Sequence, residues 1–289
     1  MRCLVSWMYN FIFVSDFFAD EYSGGSELTS EAIIGNKSDI HKMKSKNLTQ
    51  DFIENNKEKI WIFGNFSLIP AKVLLLLCKS DLTYHIIEYD FKFCKFRSPE
   101  KHSEIEGSCN CIKESNGKLV SIFFNNAEKL WFMSKRQSLI YKEKMPFLKD
   151  DKIKVLSSIF DKKHLQEMLR LNKDVKKTND NFLILNSSSW IKGTNDCISY
   201  AKENNLQYEI VSGLPYEKIL RKMRESKGLI FLPKAPDTCP RIVIEAKILG
   251  CELHLNENVL HKDEEWFRDE KIMKYLKNRR EYFWSGLES

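Results

Sequence analysis

Apolar residues in this chain fall into short runs, and each run is followed by a stretch in which they recur at helical spacing. In the first half, residues 11–16, 59–63, 84–90 and 153–158 read as strands, and 70–78 and 127–141 as helices. A loop with Gly24-Gly25 follows the first strand, and a helix starts near Ser26-Glu27. The alternation is clearer in the second half. Residues 182–186, 208–211, 228–233 and 252–255 predict strands, and 194–204, 216–224 and 240–249 predict helices, the last closed by Gly250. A charged, aromatic-bearing helix over about 263–282 ends the series. Strands alternating with helices are the pattern of α/β architecture.

Residues 173–181 are polar and lysine-rich, with no apolar period, and read as a linker. They divide the chain into 1–178 and 179–289, and 289 residues suit two domains. Residues 91–116, rich in Cys, Lys and Ser, read as an irregular insert in the first half. Residues 1–18 are apolar-rich but interrupted by Ser6, Asn10, Ser15 and Asp16, with no clean small-residue cleavage site after them. The fold can be read as starting near Met8, with residues 1–7 as an extension.

Composition narrows the class. Lysine and arginine total 46 against 40 acidic residues, a net +6 dispersed over separate small clusters. A nucleic-acid binder concentrates such charge on one face, so no nucleic-acid partner is expected. The eight cysteines show no disulfide framework, and no apolar run reaches membrane-span length. These features suggest a cytoplasmic protein, with peripheral contact to an anionic membrane left open.

The candidate chemistry lies around residues 232–250. A buried strand ends at Pro233, a loop follows, and a helix begins with Pro240 in its first turn. Free N–H groups at a helix start attract phosphate, and ligands of open α/β sheets sit beyond the C-terminal strand ends. Helical side chains lean toward the N-terminus, so Glu245 can reach ribose hydroxyls while the helix start holds phosphates. Asp237 lies eight residues earlier on the loop. The alternative is a loop aspartate and a helix glutamate in surface ion pairs.

Asp237, seven residues, Glu245, then Ala246 and Gly250 resembles the acidic pair of retaining GT-B glycosyltransferases, usually Glu-(seven residues)-Glu followed by Ala and Gly. Gly24-Gly25-Ser26-Glu27 is similar to the family's Gly-Gly-Ala-Glu loop, and Lys192-Gly193 to its Lys-Gly. The resemblance implies two Rossmann-like domains facing a cleft, the final helix packing back on the N-terminal one. It implies transfer of a sugar from a nucleoside-diphosphate sugar to a hydroxyl of a glycan, lipid or small-molecule acceptor, with no catalytic cofactor. Glu245 would bind the ribose and Asp237 the donor sugar. Thr238 and Cys239 would offer backbone donors, Lys192 would neutralise the diphosphate, and Gly24 and Gly25 would let the N-terminal loop approach the ligands.

Two departures stand out. Relatives carry Gly-Arg before the lysine, where this chain has only Ser and Trp-Ile, and they often have Gly at the position of Pro240. Arg241 then either supplies the missing cation to the diphosphate or pairs with Asp237 or Glu245.

In the insert, Cys94, His102, Cys109 and Cys111 offer four potential ligands that could enclose a structural zinc, although the spacing is not a standard finger. The alternative is ordinary reduced cysteines. Asp90, Lys92 and Arg97 are either sugar contacts or solvated charges. His85, Trp131 and Met133 read as core. Rival functions are an epimerase or phosphorylase of the same architecture, a nucleic-acid-binding protein, and a non-catalytic sugar-nucleotide binder.

Overall fold

A computed structural model describes residues 9–287; Cys3 and the extension read at residues 1–7 lie outside them. The chain forms two compact units, one running through Ile159 and resuming at Arg279, the other Phe160–Asn278. The helix Lys162–Asp174 therefore groups with the second unit, ahead of the lysine-rich stretch taken as the linker.

The first unit is a six-stranded parallel sheet. Its elements are β1 Phe11–Ser15, α1 Gly25–Ile34, β2 Ile40–Lys44, α2 Gln50–Glu54, β3 Ile60–Phe63, α3 Ala71–Lys79, β4 Thr83–Glu88, α4 Pro99–Glu106, α5 Ser115–Asn126, β5 Lys129–Phe132, α6 Lys135–Lys144 and β6 Ile153–Val155. The strand order is β2-β1-β3-β4-β5-β6. All five residues of β1 are buried, as a central parallel strand requires. Aromatic rings fill the core: Tyr84 stacks on Phe123 at 4.7 Å, and Phe63 meets Phe123 edge-on at 5.0 Å. His85, Trp131 and Met133 are buried there, as the sequence suggests.

The second unit contains α7 Lys162–Asp174, β7 Phe182–Leu185, α8 Thr194–Glu203, β8 Tyr208–Val211, α9 Tyr216–Glu225, β9 Gly228–Phe231, α10 Arg241–Ile248, β10 Glu252–Leu255, α11 Glu265–Arg268 and α12 Ile272–Lys277. Its parallel sheet has the order β10-β9-β7-β8. Phe182, Ile184, Cys197, Ala201 and Ile230 make a buried cluster between β7, β9 and α8.

The last helix, α13 Arg279–Ser285, belongs to the first unit. Arg280 donates to the carbonyls of Ile33 and Ile34 at 3.1 and 2.8 Å, and the Trp284 indole donates to Ile33 at 3.0 Å. These donors satisfy carbonyls left open at the end of α1.

Several elements differ from the pattern reading. Residues 127–141 are β5 and α6, not one helix: Leu130 to Met133 is an unbroken buried run, and Ser134 caps the helix by accepting from the Gln137 amide. Residues 263–282 hold α11, α12 and the start of α13 rather than one helix. The insert 91–116 is ordered around α4, with Ser98 as its cap and Pro99 at its first turn. Four further elements, β2, α2, α5 and α7, have no counterpart in the pattern of apolar runs.

Candidate functional site

The order of the second sheet reverses at β7. The chain leaves β7 for β8 on one side and returns to β9 on the other. The loops after β7 and β9 therefore part at their C-terminal ends, the place where open α/β sheets bind ligands. Both carry residues singled out from the sequence. Lys192 lies on the loop after β7 and Asp237 on the loop after β9, and the Lys192 ammonium donates to Asp237 Oδ2 at 2.6 Å. The Lys234 amide donates to the Ile191 carbonyl at 2.9 Å, tying the loops together. Gly193 caps α8 in the left-handed region, φ 62°, and a Cβ there would collide with the Leu232 carbonyl oxygen. Asp237 is fixed by its backbone, which bonds the Asn258 carbonyl and the Leu260 amide.

Thr238, Cys239 and Pro240 lead into α10 and are buried. One turn into the helix, Glu245 is 4% exposed and accepts from the Tyr216 hydroxyl at 2.8 Å. Burial raises its carboxyl above the ordinary range, and Arg241 and Tyr216 oppose that rise. Of the two arrangements open to Arg241, the structure has the ion pair. Its Nε lies 3.7 Å from Glu245 Oε1, its guanidinium sits 3.9 Å over the Phe160 ring, and the residue is 6% exposed. Arg241 thus faces Glu245 across one turn of α10. The reason is helical geometry, since residues four apart share a face. Phe160 and Tyr216, which complete this buried group, carry no motif and were missed in the sequence.

The first unit has its own polar edge. Its order reverses at β1, and Asp16, just past β1, accepts from the Ser67 and Leu68 amides, both at 3.1 Å, and from the Ser45 hydroxyl. Gly24 caps α1 and packs against Tyr22 and Glu27, and Gly25 is the helix's first residue. Asn65, just past β3, donates to Ser26 Oγ at 3.2 Å and to Glu27 Oε1 at 3.3 Å. Arg97 reaches Asn65 Oδ1 at 3.2 Å and grips Asp90 through Nε at 2.6 Å and also through Nη2. Lys92 is buried and contacts Glu88 and Asp90 at 3.2 and 3.3 Å. Burial alone would raise the Asp90 carboxyl, but Lys92 and Arg97 hold it below its ordinary value. These charges form a network instead of a solvated loop. The sequence showed them as candidates but gave no sign of Asn65 or Glu27 as partners.

The four potential metal ligands of the insert also come together. The Sγ atoms of Cys94, Cys109 and Cys111 and a ring nitrogen of His102 all lie within 4.8 Å of one another.

No known protein-family profile matches the chain, and no curated protein matches it. Solved structures do. HepE of Anabaena in complex with UDP-glucose aligns over 85% of this chain and 79% of its own, with 13% identity and a TM-score of 0.54. The trehalose-6-phosphate synthase OtsA aligns over 97% and 99%, with 10% identity and a TM-score of 0.60. An alpha-glucosyltransferase in complex with UDP and a 13-mer DNA containing an HMU base aligns over 96% and 94%, with 10% identity and a TM-score of 0.51. The fold is GT-B. Two parallel Rossmann-like sheets in succession, with the chain returning to the first for its last helix, place this protein in that architecture. No helix among the described residues is long and apolar enough to cross a membrane.

Proposed function

We propose that this GT-B protein is a glycosyltransferase, moving a sugar from a nucleoside-diphosphate sugar to an acceptor hydroxyl, with retention of configuration and without a catalytic metal. The observation that carries the reading is the Lys192–Asp237 pair across the reversal of the second sheet, with Glu245 one turn into the helix that follows. A cation and two acids at this place suit the three parts of such a donor. Lys192 offsets the diphosphate charge, which grows as the leaving group departs. Asp237 accepts from sugar hydroxyls. Glu245 accepts from the ribose: a carboxylate has about four acceptor positions, and the Tyr216 hydroxyl occupies one. Backbone donors of Thr238 and Cys239, with Lys192-Gly193, complete the diphosphate end. Arg241 takes the role of a positioning residue, favouring the charged form of Glu245 against the effect of burial.

HepE and the alpha-glucosyltransferase were solved with UDP-glucose and with UDP, so uridine donors are the first to try. The test is a thermal-shift series with UDP, UDP-glucose, other nucleoside diphosphates and uridine, followed by product analysis with candidate acceptors. Ligand at about 100 times its Kd stabilises by about 2.7 kcal/mol. Stabilisation by one nucleoside diphosphate together with sugar release or transfer supports the proposal. No response to any of them overturns it. Binding with no turnover on any donor would make the protein a sugar-nucleotide binder instead, a reading favoured by the missing Gly-Arg.

A further inference from the structure

We propose that Cys94, His102, Cys109 and Cys111 hold one structural zinc ion, with Glu106 as the carboxylate behind the histidine, and that this ion fixes the turn carrying Arg97. Their separations approach those of a tetrahedral ligand set. Zn–S of about 2.3 Å and Zn–N of about 2.0–2.1 Å at tetrahedral angles require S···S near ~3.8 Å and S···N near ~3.6 Å. Cys94 Sγ and Cys109 Sγ are 3.7 Å apart, His102 Nδ1 is 3.7 Å from Cys94 Sγ, and it is 3.2 Å from Cys111 Sγ. Those sulfurs are too far apart for a disulfide, which needs about 2.05 Å, and the three cysteines are free.

The surroundings fit the same ion. Three thiolates and an imidazole are a closed, soft donor set with no position left for water, as in structural zinc sites. His102 Nε2 lies 2.8 Å from Glu106 Oε2, one helical turn further along α4. A carboxylate there keeps the proton on Nε2 and leaves the Nδ1 lone pair directed at the sulfurs. The Lys95 amide donates to Cys111 Sγ at 3.4 Å, and Gly117 lets α5 start against the Cys111 carbonyl, where a Cβ would collide. The helix α4 has no apolar face: His102 is its one buried residue. A helix with no apolar stripe gains its order from metal bonds where burial supplies none.

Arg97 sits between Cys94 and α4 in the left-handed region, φ 57°, and its amide bonds the Cys94 carbonyl at 2.8 Å. The knuckle after Cys94 therefore sets where Arg97 meets Asp90 and Asn65.

The experiment uses the full chain, purified without chelator, incubated with excess zinc and then dialysed. We expect about one zinc per chain by elemental analysis. Cobalt(II) in its place should show the intense visible absorption of a tetrahedral thiolate centre. Glu106→Gln should weaken zinc binding about 10–100-fold, and Cys109→Ser by at least as much. A strong chelator should lower the thermal midpoint of wild type and leave that of Cys109→Ser unchanged. Folded wild-type protein that takes up neither metal, or takes cobalt with the pale spectrum of an octahedral oxygen site, overturns the proposal. So does Cys109→Ser that keeps a full zinc with wild-type affinity. If that variant does not fold, the wild-type cobalt spectrum decides alone. None of these outcomes depends on the activity proposed above.

Discussion

The Lys192 ammonium donates to the Asp237 carboxylate at 2.6 Å and so joins the loops that part at the reversal of the second sheet. Each is the other's counter-ion, and in the proposed function a diphosphate competes for the lysine. The two residues should therefore respond in opposite directions. A hydrogen bond to a charged group is worth about 1.5–3 kcal/mol, so Lys192→Ala should weaken UDP binding roughly 10–150-fold. Asp237→Asn removes a competing negative charge and should leave UDP affinity unchanged or tighter, while turnover falls by roughly 100-fold. Titration calorimetry with UDP separates the two, and an equal loss of affinity in both variants would show that Asp237 is not a competitor for Lys192.

Gly193 and Gly213 form a controlled pair. Both adopt left-handed backbone, φ 62° and 63°, but a Cβ at Gly193 meets the Leu232 carbonyl and one at Gly213 meets nothing within 4 Å. Left-handed backbone costs an L residue about 1–2 kcal/mol. Gly213→Ala should lose about that much in urea unfolding. Gly193→Ala should lose clearly more and should also weaken UDP binding, because Lys192 precedes it. Equal midpoints for the two variants would mean that the Gly193 turn relaxes without cost.

The second sheet was legible because its strands are short apolar runs separated by helices with ordinary start and stop residues, such as Pro215 and Gly250. The first half was less so. In β2, Ile40-His41-Lys42-Met43-Lys44 has no fully buried position, so an edge strand carries no apolar run to see. Ser134, three residues before Gln137, marks the true start of α6, yet the buried run just before it blurred strand into helix. Lys162–Asp174 does carry a stripe, with Leu165, Met168 and Leu171 buried behind the Asp161 cap, but it runs straight into the lysine-rich stretch, which blurs its end. Among the site residues, Lys192, Asp237 and Glu245 stand at motif positions. Tyr216 and Phe160 reach the same group only through packing, which no local spacing encodes.

His261 is fully buried, with Trp266 stacked at 5.6 Å and Phe267 edge-on at 4.7 Å. Burial pushes its pKa from the usual 6.5 down to about 3. Above pH 6.5 both folded and unfolded forms are neutral and its contribution is complete. As pH falls below 6.5 the unfolded chain takes the proton first, and stability drops by about 1.4 kcal/mol per pH unit until the folded value is approached. His85, pushed down to about 4 by burial, has the same sign. His261→Phe should be within about 1.5 kcal/mol of wild type at pH 7 and should lose less stability between pH 6.5 and 4.5. Urea unfolding at the two pH values checks this, and an unchanged difference would mean that His261 is protonated in the folded state.

Arg241 is the strongest test of how α10 holds Glu245. Its guanidinium stacks on Phe160 at 3.9 Å and faces Glu245 at 3.7 Å, with both side chains 5% exposed. Removing one partner of a buried pair leaves the other charge without compensation, which costs about 3–5 kcal/mol. Arg241→Ala should destabilise by that order, and the Glu245 carboxyl, already raised by burial, should rise further and lose charge at neutral pH. Ribose recognition then suffers, so uridine and UDP should weaken by similar factors. Arg241→Lys keeps a charge but cannot stack as a plane, and should fall between the two in both stability and affinity. Arg241→Met combined with Glu245→Gln should recover much of the stability without recovering ligand binding, because neutral partners no longer need each other. Calorimetry with UDP and with uridine on these variants distinguishes the roles. A loss confined to UDP would place the guanidinium on the diphosphate and end its assignment as the buried partner of Glu245.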